Sequence, residues 1–105
     1  MNYKEIKEKY PKAWQKLIKF TRCDTIENNT LVYSNEYNYD YEEFNERDLY
    51  DFFDENRIEV YPHFSGVTIH HLDKFITDEI TTKGTRKEKE NRGFECAFEI
   101  LESKI

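Results

Sequence analysis

Glycine occurs three times in this 105-residue chain, proline twice, cysteine twice and tryptophan once. The glycines, Gly66, Gly84 and Gly93, stand far apart, so no glycine-rich loop exists to cradle a phosphate. Glycine and proline cluster nowhere, which leaves no linker and no low-complexity segment. The length fits a single domain over residues 1–105. Cys23 and Cys96 are too few for a disulfide framework and lack metal-binding spacing. Two reduced thiols fit a cytoplasmic location. No apolar run approaches the roughly 20 residues that span a bilayer. The first twenty residues are charged throughout, unlike a secretory signal.

Positive charge is scarce in the middle of the chain. Residues 23–62 hold two bases against twelve acids, whereas residues 1–22 hold seven bases against two acids. The net charge is −6. That balance argues against direct nucleic-acid binding, which needs basic surface to displace counterions. The amino-terminal lysines read as an ordinary solvated face. Aliphatic residues are also few: Ile, Leu and Val together number 17, matched by 17 aromatics. With a mean hydropathy of −0.97, the chain must build its core largely from rings, each of which buries ~150–250 Å².

The densest stretch is Tyr33–Glu55, with five tyrosines, three phenylalanines, nine carboxylates and one arginine. Such a segment must be two-sided, and the expectation is rings inward and carboxylates outward. Within it, Tyr37, Tyr39 and Tyr41 alternate with polar residues, as in a strand or an extended loop. Asn45 is a candidate N-cap, with Glu46 and Asp48 in the first turn and Phe44 and Leu49 at staple positions. Leu49, Phe52 and Phe53 then form the apolar stripe of a short helix, and Asp51, Asp54 and Glu55 face away.

The remaining elements follow from periodicity. Residues 2–20 predict two helices with a bend near Tyr10, because Pro11 suits a first helical turn and not an interior. Residues 21–29 read as a loop and Thr30–Ser34 as a strand. Arg57–Phe64 and Val67–Leu72 read as a hairpin turning at Ser65-Gly66. Phe64 pairs with Val67 in that register. Ile58, Val60, Phe64, Val67 and Ile69 then share one face; Tyr61, His63, Thr68 and His70 share the other. Pro62 confines the first of these strands to an edge. Residues 73–83 continue the strand or add a third. Thr85 and Glu88 have capping-box spacing before a long helix, whose stripe is Phe94, Phe98, Leu101 and Ile105, widened by Ala97 and Ile100. The fold class expected is α+β: amino-terminal helices and a small antiparallel sheet of three to four strands packed against the long carboxy-terminal helix.

Catalytic patterns are weak. His63 and His70, as diagonal neighbours with Glu59 nearby, are the one arrangement that could approach a metal ion. The His70-His71 pair itself projects to opposite faces. Asn38, Asp40 and Glu42 begin a calcium-loop spacing, but Glu43 replaces its glycine and Leu49 its terminal glutamate. Cys96 reads as packing. With 22 acids, carboxylate pairs arise by chance and identify nothing.

Two phrases carry a resemblance: Arg47-Asp48-Leu49-Tyr50-Asp51-Phe52-Phe53-Asp54-Glu55-Asn56 leading into a hairpin, and Thr85-Arg86-Lys87-Glu88 followed by Phe94 through Glu102. Over residues 44–105 the chain resembles small uncharacterised proteins of bacteriophages and mobile elements in AT-rich bacteria. Lys89 departs from that pattern, where alanine is common. The resemblance implies an α+β fold and no particular catalytic residues.

The functional expectation is a non-enzymatic acidic binding protein with no cofactor. In the sharper form of this reading the carboxylates imitate the phosphates of nucleic acid toward a basic, nucleic-acid-handling protein, and the resemblance fits a phage-encoded inhibitor or modulator of anti-CRISPR or anti-restriction kind. The expected contacts are Glu36, Asp40, Glu42, Glu43, Asp51, Asp54 and Glu55, with Tyr37, Tyr39 and Tyr41 as anchors. A homodimer is compatible with this, and membrane binding is not expected. The alternative is a small metal-dependent enzyme or metal-binding protein using Glu59, His63 and His70. A third possibility is a solvated acidic surface with no dedicated site.

Overall fold

A computed structural model describes all residues, Met1–Ile105. Helix α1 (Tyr3–Lys9) starts where the Asn2 side chain accepts the Glu5 N–H, and helix α2 (Pro11–Thr21) starts at Pro11. Tyr10 between them leaves helical geometry (φ −129°, ψ 63°). The bend therefore lies where proline forbids a continuous helix. Arg22, in the left-handed region at φ 61°, closes α2 by donating its N–H to the Ile18 carbonyl.

Strands β1 (Thr25–Glu27), β2 (Thr30–Ser34) and β3 (Tyr39–Glu43) form one antiparallel sheet in the order β1-β2-β3. The segment read as a loop over residues 21–29 thus contains a strand and a two-residue turn. Asn28 and Asn29 both adopt positive φ, 47° and 63°, as a tight turn that follows strand twist requires.

Helix α3 (Asp48–Glu55) follows. It begins later than Asn45 would place it, because the Asn45 side chain caps a preceding turn by accepting the Arg47 N–H. Strands β4 (Ile58–His63), β5 (Gly66–His71) and β6 (Ile76–Thr81) make a second antiparallel sheet, β4-β5-β6. The long helix α4 (Arg86–Lys104) packs across β4 and β5, with the Thr85 side chain accepting the Glu88 N–H. The α+β class holds, with two three-stranded sheets in place of the one expected. Pro62 lies on β4, an edge strand.

The hairpin register differs from the expected one. Pro62 pairs with Val67 and His63 with Gly66, so the turn is Phe64-Ser65. Gly66 serves a different purpose from a turn residue. A Cβ there would lie 1.9 Å from the Ile80 carbonyl oxygen of the adjoining strand, so it is a close approach that demands glycine. The shift by two residues preserves the faces. Ile58, Val60, Val67 and Ile69 are buried, but Phe64 is moved to the turn and is 97% exposed.

The core is aromatic, as the composition requires. Phe52, Phe53, Phe94 and Phe98 interlock, with the Phe53 and Phe98 ring centroids 4.9 Å apart and edge-to-face. Gly93 lets α4 approach the second sheet. The helical stripe ends at Leu101; Ile105 lies beyond it and is exposed. The first sheet joins this core through Ile26, Leu31 and Phe44, next to Tyr3 and Trp14 of the amino-terminal helices.

Candidate functional site

The acidic aromatic stretch divides into two parts with opposite orientations. In α3 the rings of Phe52 and Phe53 are buried and Asp51, Asp54 and Glu55 are exposed, as expected. Over residues 37–43 the expectation reverses. Tyr37 is 90% exposed, Tyr39 56% and Tyr41 66%. Pairing of Ser34 with Tyr39, Val32 with Tyr41 and Leu31 with Glu42 explains this. Leu31 and its neighbour Ile26 are the buried residues of the sheet. Strand alternation therefore sends Tyr39, Tyr41 and Glu43 to the opposite, outer face. Asp40 and Glu42 share the Leu31 face but lie beyond the cover of the helices and are exposed.

The tip of this hairpin is organised by one residue. Asn35 Oδ1 accepts the N–H groups of Tyr37 and Asn38 at 2.9 and 2.7 Å, and its Nδ2 donates to Asp40 Oδ2 at 3.0 Å. Beside the tip, Asp24 Oδ2 accepts the Ser34 N–H at 2.6 Å. Hydrogen bonds from Ser34, from its side chain first and then from its backbone N–H, hold the Asp24 carboxyl below its ordinary range. Tyr33 donates to the Thr21 carbonyl and to Glu42. Local hydrogen bonds thus shape the hairpin, and its tip is exposed.

None of the expected contact acids, Glu36, Asp40, Glu42, Glu43, Asp51, Asp54 and Glu55, takes part in an ion pair within the chain. The pairs that form use Glu5, Glu46, Asp73, Asp78, Glu90 and Glu95 instead. The acids do not make one continuous surface, however. β3 packs on β2, whereas α3 packs on β4. Beside α3, Asp54 shares a shallow recess with Tyr50, Glu59 and Tyr61. Partial burial, then the charges of Glu59 and Asp51, raises its pKa. A recess of about 500 Å³ between α1 and β1, lined by Lys4, Lys7, Trp14 and Ile26, contains none of the expected contact residues.

The metal arrangement is not assembled. In the observed register His70 lies opposite Glu59, and His63 lies opposite Gly66, four residues farther along β4. At about 3.3 Å per residue that separates the histidines by roughly 13 Å along the strand. Their nitrogens engage hydroxyls: His63 with Thr68 and Ser65, His70 with Thr77. Tyr61 stacks edge-on against His70 and bonds to Glu59. No group of three His, Cys, Asp or Glu side chains converges elsewhere. Cys23 is buried beside Thr21 Oγ1, at 2.9 Å. Burial raises the Cys96 thiol above its ordinary value, which leaves it less reactive.

Sequence reading weighed side chains and overlooked one feature of the same strand, its free backbone edge. The signal was present: Tyr39–Glu43 contains no proline or lysine, and its charges are all negative, so the edge is guarded against its own kind and not against a basic strand. No helix is long and apolar enough to cross a membrane. Neither a family model, nor a curated protein, nor a solved structure matches the chain.

Proposed function

We propose that this chain is a non-enzymatic binding protein that acts by stoichiometric contact, its β2–β3 hairpin docking onto a basic surface of a partner protein. The observation that carries this reading is an exposed row of tyrosines beside carboxylates that have no counter-charge in the chain. Buried rings would be core, and paired acids would be ordinary surface. Here the rings face solvent at a cost in hydration, and Asp40, Glu42 and Glu43 leave a negative field without local compensation. Tyrosine supplies large contact area for little entropy, and carboxylates steer a basic partner into place. Asp51, Asp54 and Glu55 on α3 extend the field but form a separate patch.

The partner class best suited to this field is a protein with a groove built for nucleic acid, in which the carboxylates stand where phosphates would. With the resemblance to phage and mobile-element proteins, the reading becomes an inhibitor or modulator of a nucleic-acid-handling enzyme in the cytoplasm. The experiment is affinity capture from the source organism, comparing the natural chain with an Asp40→Lys, Glu42→Lys, Glu43→Lys variant. The expected result is a basic protein retained by the natural chain alone and released by about 0.5 M salt, as charge screening requires. Capture that ignores both the reversals and salt would sink the reading.

A further inference from the structure

The hydrogen-bond phase of β3 identifies which backbone groups are free. At one end Phe44 donates to the Asn29 carbonyl at 2.6 Å, and at the other Asn35 donates to the Asn38 carbonyl at 2.9 Å. In an antiparallel ladder every second residue faces its partner. Asp40 and Glu42, in step with Phe44 and Asn38, therefore turn their N–H and C=O groups toward β2. Tyr39, Tyr41 and Glu43 turn theirs outward, where the sheet order places no further strand. All five residues of β3 are exposed. The edge is thus a row of donors and acceptors unpaired within the chain, with the tyrosine rings and Glu43 on one side and Asp40 and Glu42 on the other.

We infer that the partner binds by strand addition: an extended, basic segment continues the first sheet as a fourth, antiparallel strand along β3. This rests on the reading of the hairpin as the docking element and gives it a mode. The edge specifies its occupant. Residues of the added strand opposite Tyr39 and Tyr41 lie on the outer face and suit apolar or β-branched side chains against the rings. Residues between them lie on the Asp40 and Glu42 face and suit lysine or arginine. The segment sought therefore alternates apolar with basic residues. The same charges disfavour a second copy of this chain, because pairing β3 with β3 brings Asp40, Glu42 and Glu43 against their own kind. The free edge of β6 is a poorer candidate, since Ile76–Thr81 contains no tyrosine to anchor an added strand.

The test uses the full chain and the synthetic peptide Lys-Val-Lys-Val-Lys-Val-Lys, in three forms: unmodified, N-methylated at the valines, and N-methylated at the lysines. Binding is followed by amide NMR titration. In the antiparallel arrangement the valine amides point at β3 and the lysine amides point away. Valine methylation should weaken binding by about tenfold or more, and lysine methylation by less than about threefold. On the protein side, Tyr41→Pro removes an outward N–H that the fold does not use, a position where an edge strand tolerates proline. It should abolish binding with the circular dichroism spectrum unchanged, while Tyr41→Val, which keeps the N–H, should retain it. Equal binding of both methylated peptides overturns strand addition. If that binding still falls with Asp40→Asn and Glu42→Gln, the acidic hairpin reading survives without it. A failure of the unmodified peptide to bind, or a dimer in sedimentation that Tyr41→Pro dissolves, also overturns the inference, and the charge-reversal capture then judges the hairpin reading by itself.

Discussion

An alanine Cβ at Gly93 would lie 2.7 Å from Val60 Cγ1 and 2.8 Å from Val67 Cγ2. Intrinsic propensity alone makes glycine in mid-helix worse than alanine by ~1 kcal/mol. Packing reverses the sign, because the two valines are held in a sheet and cannot withdraw freely. Gly93→Ala should therefore destabilise the fold by about 1–3 kcal/mol in urea unfolding; a stabilised variant would show that the sheet yields. Two tyrosines separate in the same manner. Tyr50 donates to Glu90 Oε1 at 2.9 Å, whereas the buried Tyr3 hydroxyl has no partner. Tyr50→Phe should cost about 1 kcal/mol, and Tyr3→Phe should be neutral or stabilising. Burial first, then the Glu46 charge for Tyr3 and the Glu90 bond for Tyr50, raises both phenol pKa values. The folded state thus prefers the protonated phenols. Their contribution is complete below the ordinary value near 10 and is lost as pH rises beyond it. Either phenylalanine variant should move alkaline unfolding, followed by circular dichroism, to higher pH.

At the level of the element, the legible parts are those with a long period. The α4 stripe, the α3 stripe and the faces of the β4–β5 hairpin all follow from spacing. What was not legible has particular causes. The three-residue β1 is too short for any period to show, and its signal lay in Asn28-Asn29, which tolerate the left-handed turn. The alternation of Tyr37, Tyr39 and Tyr41 correctly indicates extended chain. It cannot say which face meets the core, and that was decided by Ile26 and Leu31 on neighbouring strands. Ser65-Gly66 looks like a turn, yet Gly66 is fixed by its contact with β6, a strand distant from the turn reading. The hairpin histidines were displaced by the same slip, so the metal arrangement failed with the register. The ladder phase of β3 has its own check. In amide hydrogen exchange Asp40 and Glu42 should be protected and Tyr39, Tyr41 and Glu43 should exchange freely. Uniform protection or uniform exchange across the five would contradict the assigned phase.

Taken whole, the molecule measures 48 × 29 × 21 Å with a Cα radius of gyration of 14.4 Å, against about 13 Å for a compact chain of this size. The length comes from two sheets that share no strand and are bridged by helices and the Phe44 region. One sheet is clamped by α3 and α4. The other is held on its inner face and offers its outer face and the β3 edge to solvent. Trp14 stands at the bridge, buried 6.3 Å from the Tyr3 ring. As the sole indole of the chain, it is a built-in optical reporter on that joint and on nothing else. Its emission should redden at a lower denaturant concentration than the loss of far-ultraviolet ellipticity if the hairpin sheet loosens before the aromatic core melts, and coincident curves would mean that both halves unfold as one.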